Sequence, residues 1–260
     1  MRIIPFFPVV DRVLMRREGY IKRLKLDRYP YGSDFMPKYF QELRLRKKAA
    51  VAWAAEAKPT IAFIGQMHVS LSGGNTLATR ARTRAVQDWS YDRLMEQAKD
   101  AQIITFEQYG TDERVTPAVM VRITKESFRL LGRLYPDAPK PTEKQIEEIC
   151  AADGQAASRA IRELKMSSIY CGEEWPNALE SFLLMRLNNL PPDKAQIALQ
   201  LVEDFDRLRS EIILIRTLEF LKKESGKKGV IMQGMDHGPH LAEVADEYHI
   251  NLDLVMPTGN

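Results

Sequence analysis

No apolar run in the sequence approaches the roughly 20 residues that a membrane-crossing helix requires. The apolar start, Ile3 to Val10, holds two prolines, runs into Asp11 and lacks a small-residue cleavage site, so it reads as a poor signal peptide. Cysteine is scarce. Cys150 and Cys171 form no Cys-x-x-Cys pair, which argues against a disulfide framework and against a thiolate metal site. A reducing, cytoplasmic setting is expected. Several catalytic signatures are also missing. There is no Gly-x-Ser-x-Gly elbow and no His-Glu-x-x-His, and Ser72-Gly-Gly-Asn75 lacks the lysine of a phosphate-binding loop.

What remains is an ordinary globular mixture. The 260 residues are 45% hydrophobic and 28% charged, enough for one large domain or a core with an inserted subdomain. The net charge of +3 conceals an asymmetry, because residues 1–50 hold 13 Lys or Arg against 5 Asp or Glu. Such a segment can touch nucleic acid or an acidic membrane. No aromatic platforms interleave the basic residues, so nucleic acid is not expected as a partner. The simpler reading is an amphipathic helix from Met36 to Ala57 whose Arg44, Arg46, Lys47 and Lys48 face water.

The hydrophobic pattern predicts strands at Thr60–Gly65, Gln102–Glu107, Ser168–Cys171, Gly229–Gly234 and Asn251–Met256. These runs are apolar rather than alternating, as in strands buried on both faces. Helical segments separate them, at about Trp89 to Lys99, Pro141 to Lys165, from Pro176, Pro192 to Glu224 and Pro239 to Tyr248. The expected fold is therefore α/β, a mostly parallel central sheet flanked by helices, with a large helical insertion between the second and fourth strands. Residues 1–58 form a basic, largely helical N-terminal segment. Residues 59–260 form a single domain with a helical layer at about 111–225. Gly226 is the expected C-cap of the long helix before the fourth strand.

The chain has four histidines, and two share a context. His68 and His237 each follow an apolar strand ending in glycine, in Gly65-Gln-Met-His68 and Gly234-Met-Asp-His237. Ligands of parallel α/β sheets collect at the carboxyl ends of strands, so the two histidines converge there if their strands are neighbours. Glycine at that point lets the chain turn or a ligand approach closely. Glu107 closes the second strand at the same nominal edge. Gly238-Pro239 predicts a helix start just after His237, which favours the neutral imidazole that accepts a proton or binds metal. His240 reads as a satisfied surface or interface histidine, with support of a site ligand from behind as the other reading, and His249 as structural. Two imidazoles and a carboxylate suit a divalent cation, with His68, Glu107 and His237 as its ligands.

These elements resemble the TraB/Tiki superfamily, with its erythromycin-esterase and ChaN-like relatives. The resemblance is carried by Ile64-Gly65-Gln-Met-His68-Val-Ser70, by Ala98 to Glu107, by Tyr170-Cys-Gly172-Glu-Glu174 and by Val230-Ile-Met-Gln-Gly234-Met-Asp-His237. It spans most of residues 60–256 and leaves 1–58 without a counterpart. It implies a site of His68, Glu107 and His237, with Glu174 as a further glutamate. It also implies an arginine on the helix before the fourth strand, for which Arg209 fits best and Arg207 and Arg216 are rivals. Tiki-like members are similar to metal-dependent peptidases, the esterase group opens a lactone without a required metal, and ChaN-like members bind haem. The leading expectation is a hydrolase of peptide, ester or lactone bonds acting on a peptide or small molecule. A divalent metal such as Mn, Co or Zn would assist. The alternative is a non-catalytic module binding haem or another small ligand.

Overall fold

The structure, a computed structural model, describes residues 32–67, 77–109, 168–172 and 192–257, with 125, 142–144, 159–160 and 163–164. Of the expected helix at Pro141 to Lys165 only residues 142–144, 159–160 and 163–164 are described, with 143–144, 159–160 and 163–164 helical, and the expected helix from Pro176 and most of the helical layer at 111–225 lie outside the described residues.

Chain order runs α1 (Gly32–Ala57), β1 (Thr60–Gln66), α2 (Leu77–Gln97), β2 (Ile103–Tyr109), β3 (Ser168–Gly172), α3 (Pro192–Lys223), β4 (Lys228–Gly234), a 3₁₀ turn (Met235–His237), α4 (Gly238–Val244) and β5 (Asn251–Val255). The five strands form one sheet in the order β3-β2-β4-β1-β5, and each neighbouring pair is parallel. All carboxyl ends therefore lie along one edge. β1 is buried from Ile61 to Gln66, and β4 from Gly229 to Gln233, as their unbroken apolar runs require. β5 departs from that expectation. As an outer strand it is covered less, and Asn251, Asp253 and Leu254 are exposed.

One face of the sheet packs on α2. Ala62, Ile64, Ile104, Phe106, Val230 and Met232 meet Tyr91, Leu94 and Ala98 there. Burying each large apolar side chain contributes about 1.5–3 kcal/mol. α2 begins twelve residues before the expected Trp89, because its first turns carry few apolar residues to betray a helical period. The other face packs on α3. Gly229 admits the side chains of Thr217 and Leu221 so closely that a Cβ would lie 3.1 Å from Thr217 Cγ2. Thr105 Oγ1 and Thr217 Oγ1 hydrogen-bond at 2.8 Å across this interface.

Leu208 and residues 210–215 of α3 are buried without a break. A helix apolar all round must be covered on more than one side. The sheet covers one side and α1 another. Arg46 makes a two-pronged contact with Glu219 at 2.8 Å through both nitrogens. Lys47, expected in solvent, is only 2% exposed. Its ammonium donates to Glu211 at 2.7 Å and pairs with Glu247 at 2.8 Å, which compensates the cost of burying it. Lys48 does face water.

The end of α3 corrects the expected cap. Gly226 N–H reaches Leu221 O at 2.8 Å, and the left-handed residue is Ser225, with φ 54°. That is a Schellman closure with serine in the usual glycine place. Gly226 is needed instead for proximity, since a Cβ there would lie 2.9 Å from Gln102 Cβ. Among the described residues, no helix is long and apolar enough to cross a membrane.

Candidate functional site

β1 and β4 are neighbours, with Gly65 opposite Gln233 and Gln66 opposite Gly234. β2 flanks β4 on its other side, with Phe106 opposite Met232. The strands that lead to the two Gly-x-x-His motifs thus end side by side, next to the strand that carries Glu107. His68 and Glu174 lie outside the described residues. Of Glu107 the structure describes the backbone position alone, one residue beyond Phe106. Gln87 on α2 donates to Met67 O at 3.0 Å and so holds the chain where it leaves β1, one residue before His68.

The glycines serve closeness more than turning. Gly234 has φ −49° and ψ 139°, which any residue adopts. At Gly65 a Cβ would lie 2.9 Å from Met256 Sδ and 3.2 Å from Met235 Cβ. At Gly238 it would lie 2.9 Å from Phe63 Cε1. Both positions keep the segment bearing His237 tight against β1.

His237 is the N-cap of α4, with Pro239 in its first turn, as the Gly-Pro pair predicts. It is 4% exposed. Two residues one turn apart on α3 flank its ring. Ser210 Oγ lies 2.8 Å from Nδ1, and Asp206 Oδ1 lies 3.3 Å from Nε2. Arg209 Nη1 approaches the same Oδ1 at 3.7 Å. The helix before the fourth strand therefore does bring Arg209 into the neighbourhood of His237, through Asp206. Burial pulls the Arg209 guanidinium down to about 10, so it stays charged at neutral pH. Burial also raises the Asp206 carboxyl, against the opposing pull of His237.

Asp206 and Ser210 were missed in the sequence, where Asp206-Arg-Leu-Arg209-Ser210 drew notice for its arginine. The available signal was the spacing of four, which puts both on one helical face in a stretch otherwise turned to the core. Ser210, His237 and Asp206 are not a nucleophilic triad. Ser210 is fully buried, and its hydroxyl is 3.0 Å from the Asp206 carbonyl oxygen of the preceding turn.

His240, expected near the surface, is buried. Its Nδ1 is 3.5 Å from Glu243 Oε2 and its Nε2 is 3.7 Å from Glu211 Oε1. Glu211 also accepts from Tyr248 at 2.8 Å. Burial alone would raise Glu211, but His240, Lys47 and Tyr248 together outweigh it and hold the carboxyl at about 2. Burial and the Glu211 charge push the Tyr248 phenol well up. His249 is exposed, with φ 52°, where Ile250 N–H closes onto Ala245 O at 3.2 Å. Its structural role is thus a backbone one.

Among the described residues, three buried side-chain atoms have no hydrogen-bond partner: Thr83 Oγ1, Gln233 Oε1 and His240 Nε2. Gln233 is the next-to-last residue of β4, Thr83 stands one turn before Gln87 on α2, and His240 follows β4. Unsatisfied buried groups concentrate where a ligand or water completes them. The amino edge differs. Its shallow depression holds the Lys228–Asp100 ion pair at 2.6 Å and no histidine. Among the described residues, no three His, Cys, Asp or Glu side chains converge on one point. The chain matches no protein-family model, no curated protein and no solved structure.

Proposed function

We propose that the chain is a cytoplasmic hydrolase of peptide, ester or lactone bonds, built on the TraB/Tiki plan. One observation carries the reading. β1 and β4, each leading to a Gly-x-x-His motif, are adjacent and parallel, with Gln66 opposite Gly234. Both motifs therefore leave the sheet at one edge, beside the end of β2. In this reading His68, Glu107 and His237 form the working site, Glu174 adds a carboxylate, and the helical layer at about 111–225 covers the edge.

The roles follow from the chemistry of each group. His237 takes a proton from water as general base or offers a lone pair to a cation. Arg209, largely covered and charged, suits the oxyanion that develops on a carbonyl under attack. The burial that lowers its pKa also strengthens its field by excluding water. Glu107 and Glu174 would orient the water or the imidazoles.

A divalent ion, Mn, Co or Zn, would supply hydroxide near neutral pH when bound. The described residues fit it in part. His237 has its Nδ1 side held by Ser210, as one ring nitrogen is held by a partner in metal-ligating histidines. Haem fits poorly. A histidine that would hold its iron needs an open approach to Nε2, and here Asp206 Oδ1 stands 3.3 Å away.

The test is hydrolysis of a panel of peptide, ester and lactone substrates by the full chain, after chelation and after adding Mn, Co or Zn. His237→Ala serves as the blank. A loss of about 10²–10⁴-fold in the variant is expected for a positioned acid or base. Wild type indistinguishable from His237→Ala across the panel would sink the reading.

A further inference from the structure

α3 runs opposite to β4. Thr217 and Leu221 lie against Gly229 at the start of the strand, and Ser210 and Asp206 lie against His237 just past its end. The helix continues beyond Asp206 to its amino end at Pro192. This stretch of α3 therefore stands at the carboxyl edge, where parallel sheets collect their ligands.

The polar groups that meet there are covered unequally. Ser210 is fully buried, the His237 side chain is 5% exposed and that of Arg209 13%, whereas that of Asp206 is 30% exposed. A molecule arriving from solvent thus meets the carboxylate before the imidazole. Ser210 Oγ holds the ring at Nδ1, 2.8 Å away, and Nε2 turns to Asp206 Oδ1 at 3.3 Å as an ion pair. Arg209 Nη1 approaches the same oxygen at 3.7 Å. Among the described residues, both side-chain partners of Asp206 come closest to Oδ1. A carboxylate has lone pairs on two oxygens, so one steadied in this way can still accept from a third partner. An acceptor already held in place needs little further ordering when that partner arrives.

We propose that Asp206 is the catalytic carboxylate of this site and takes the proton of the attacking water, while His237 and Ser210 position it. The inference rests on the hydrolase reading by its metal-free route, and it sets the carboxylate rather than the imidazole against the water. As the water oxygen bonds to the carbonyl carbon, its proton passes to Asp206 and the carbonyl electron pair moves onto oxygen, the charge that Arg209 suits. When the tetrahedral intermediate collapses, the bond to the leaving group breaks. The proton then passes from Asp206 to the departing nitrogen or oxygen, and the carboxylate is restored. Water is the only co-reactant consumed.

The full chain is assayed after chelation on the substrate that the panel identifies, with kcat and KM separated. Asp206→Asn keeps the shape and an oxygen for His237, so kcat should fall about 10²–10⁴-fold while KM moves less than about threefold. Asp206→Glu, which keeps a carboxylate, should turn over at least about tenfold faster than Asp206→Asn. Asp206→Ala should gain at least about tenfold when formate is added as a free carboxylate, and His237→Ala should gain nothing from formate. Thermal melts check that each variant is folded. If His237→Ala is inactive while Asp206→Asn keeps the wild-type rate, the hydrolase reading stands and this inference falls. The same holds if wild type turns over only with added Mn, Co or Zn. Folded Asp206 variants that neither glutamate nor formate restores would make the residue a structural partner of His237 and overturn the proposal. Wild type without hydrolysis anywhere on the panel removes both readings.

Discussion

Gln66, the last residue of β1, lies directly opposite Gly234, the last residue of β4. The strands are separated by more than 160 residues, so nothing local aligns them. The alignment follows from the parallel register, which starts with Thr60 opposite Lys228 and runs unbroken through seven pairs. One consequence is a strict limit on side-chain size where the motifs leave the sheet.

Gly238→Ala and Gly65→Ala test that limit. A Cβ at Gly238 would press on Phe63 at 2.9 Å, and one at Gly65 on Met256 and Met235. The Phe63 ring is fully buried and has little room to yield. Gly238→Ala is expected to cost about 1–3 kcal/mol in urea unfolding, in the range of overpacked cores. Gly65→Ala should cost less, because the thioether of Met256 is partly exposed and flexible. Equal, negligible costs would show that the backbone at this edge is free to move.

Lys47 tests whether α1 is an integral part of the domain. Removing one partner of a buried ion pair leaves the other charge uncompensated, at about 3–5 kcal/mol. Lys47→Met is expected to show a loss of that order by chemical denaturation. Lys47→Met combined with Glu211→Gln should recover part of it. Lys48→Met, on the exposed side of the same helix, should stay within about 0.5 kcal/mol. A neutral Lys47→Met would mean that α1 does not hold the place described for it.

Acid sensitivity should report on Glu211. Its carboxyl is lowered from 4.5 to about 2 in the folded chain. A depressed carboxyl contributes stability that is present above its ordinary pKa and is lost as pH falls through the folded value. The loss should therefore fall between pH 4.5 and about 2, and a shift of this size corresponds to roughly 3 kcal/mol. Glu211→Gln should flatten that part of the stability curve while lowering stability at neutral pH, where Lys47 loses one of its two carboxylate partners. An unchanged acid limb in the variant would count against the cluster.

His249 separates a backbone role from a chemical one. At φ 52° a non-glycine residue carries strain of about 1 kcal/mol that glycine escapes. His249→Gly is expected to melt slightly higher than wild type and His249→Ala slightly lower. Both should hydrolyse whatever substrate the panel identifies at the wild-type rate. A tenfold fall in rate for His249→Ala would give this histidine a role that its exposed position does not predict.

The sequence by itself determined the five strands and most of their ends, although β2 runs on past the expected Glu107 to Tyr109. Apolar runs such as Ile61-Ala-Phe-Ile64 and Val230-Ile-Met232 can be buried only in a sheet covered on both faces, and the glycines after them mark the edge. It also marked His237 as the entry to a helix, because Gly-Pro has few other uses there. Tertiary structure decided the rest. That β4 lies between β1 and β2 depends on long-range pairing, which no local pattern encodes. Lys47 looked like one more solvated base on a basic helix, and only the carboxylates of Glu211 and Glu247, far along the chain, make its burial tolerable. Asp206 and Ser210 were silent for the same reason. Their chemistry arises from the ring of His237, which the fold delivers to their face of α3, and a residue's partner across a fold is not written in its neighbours.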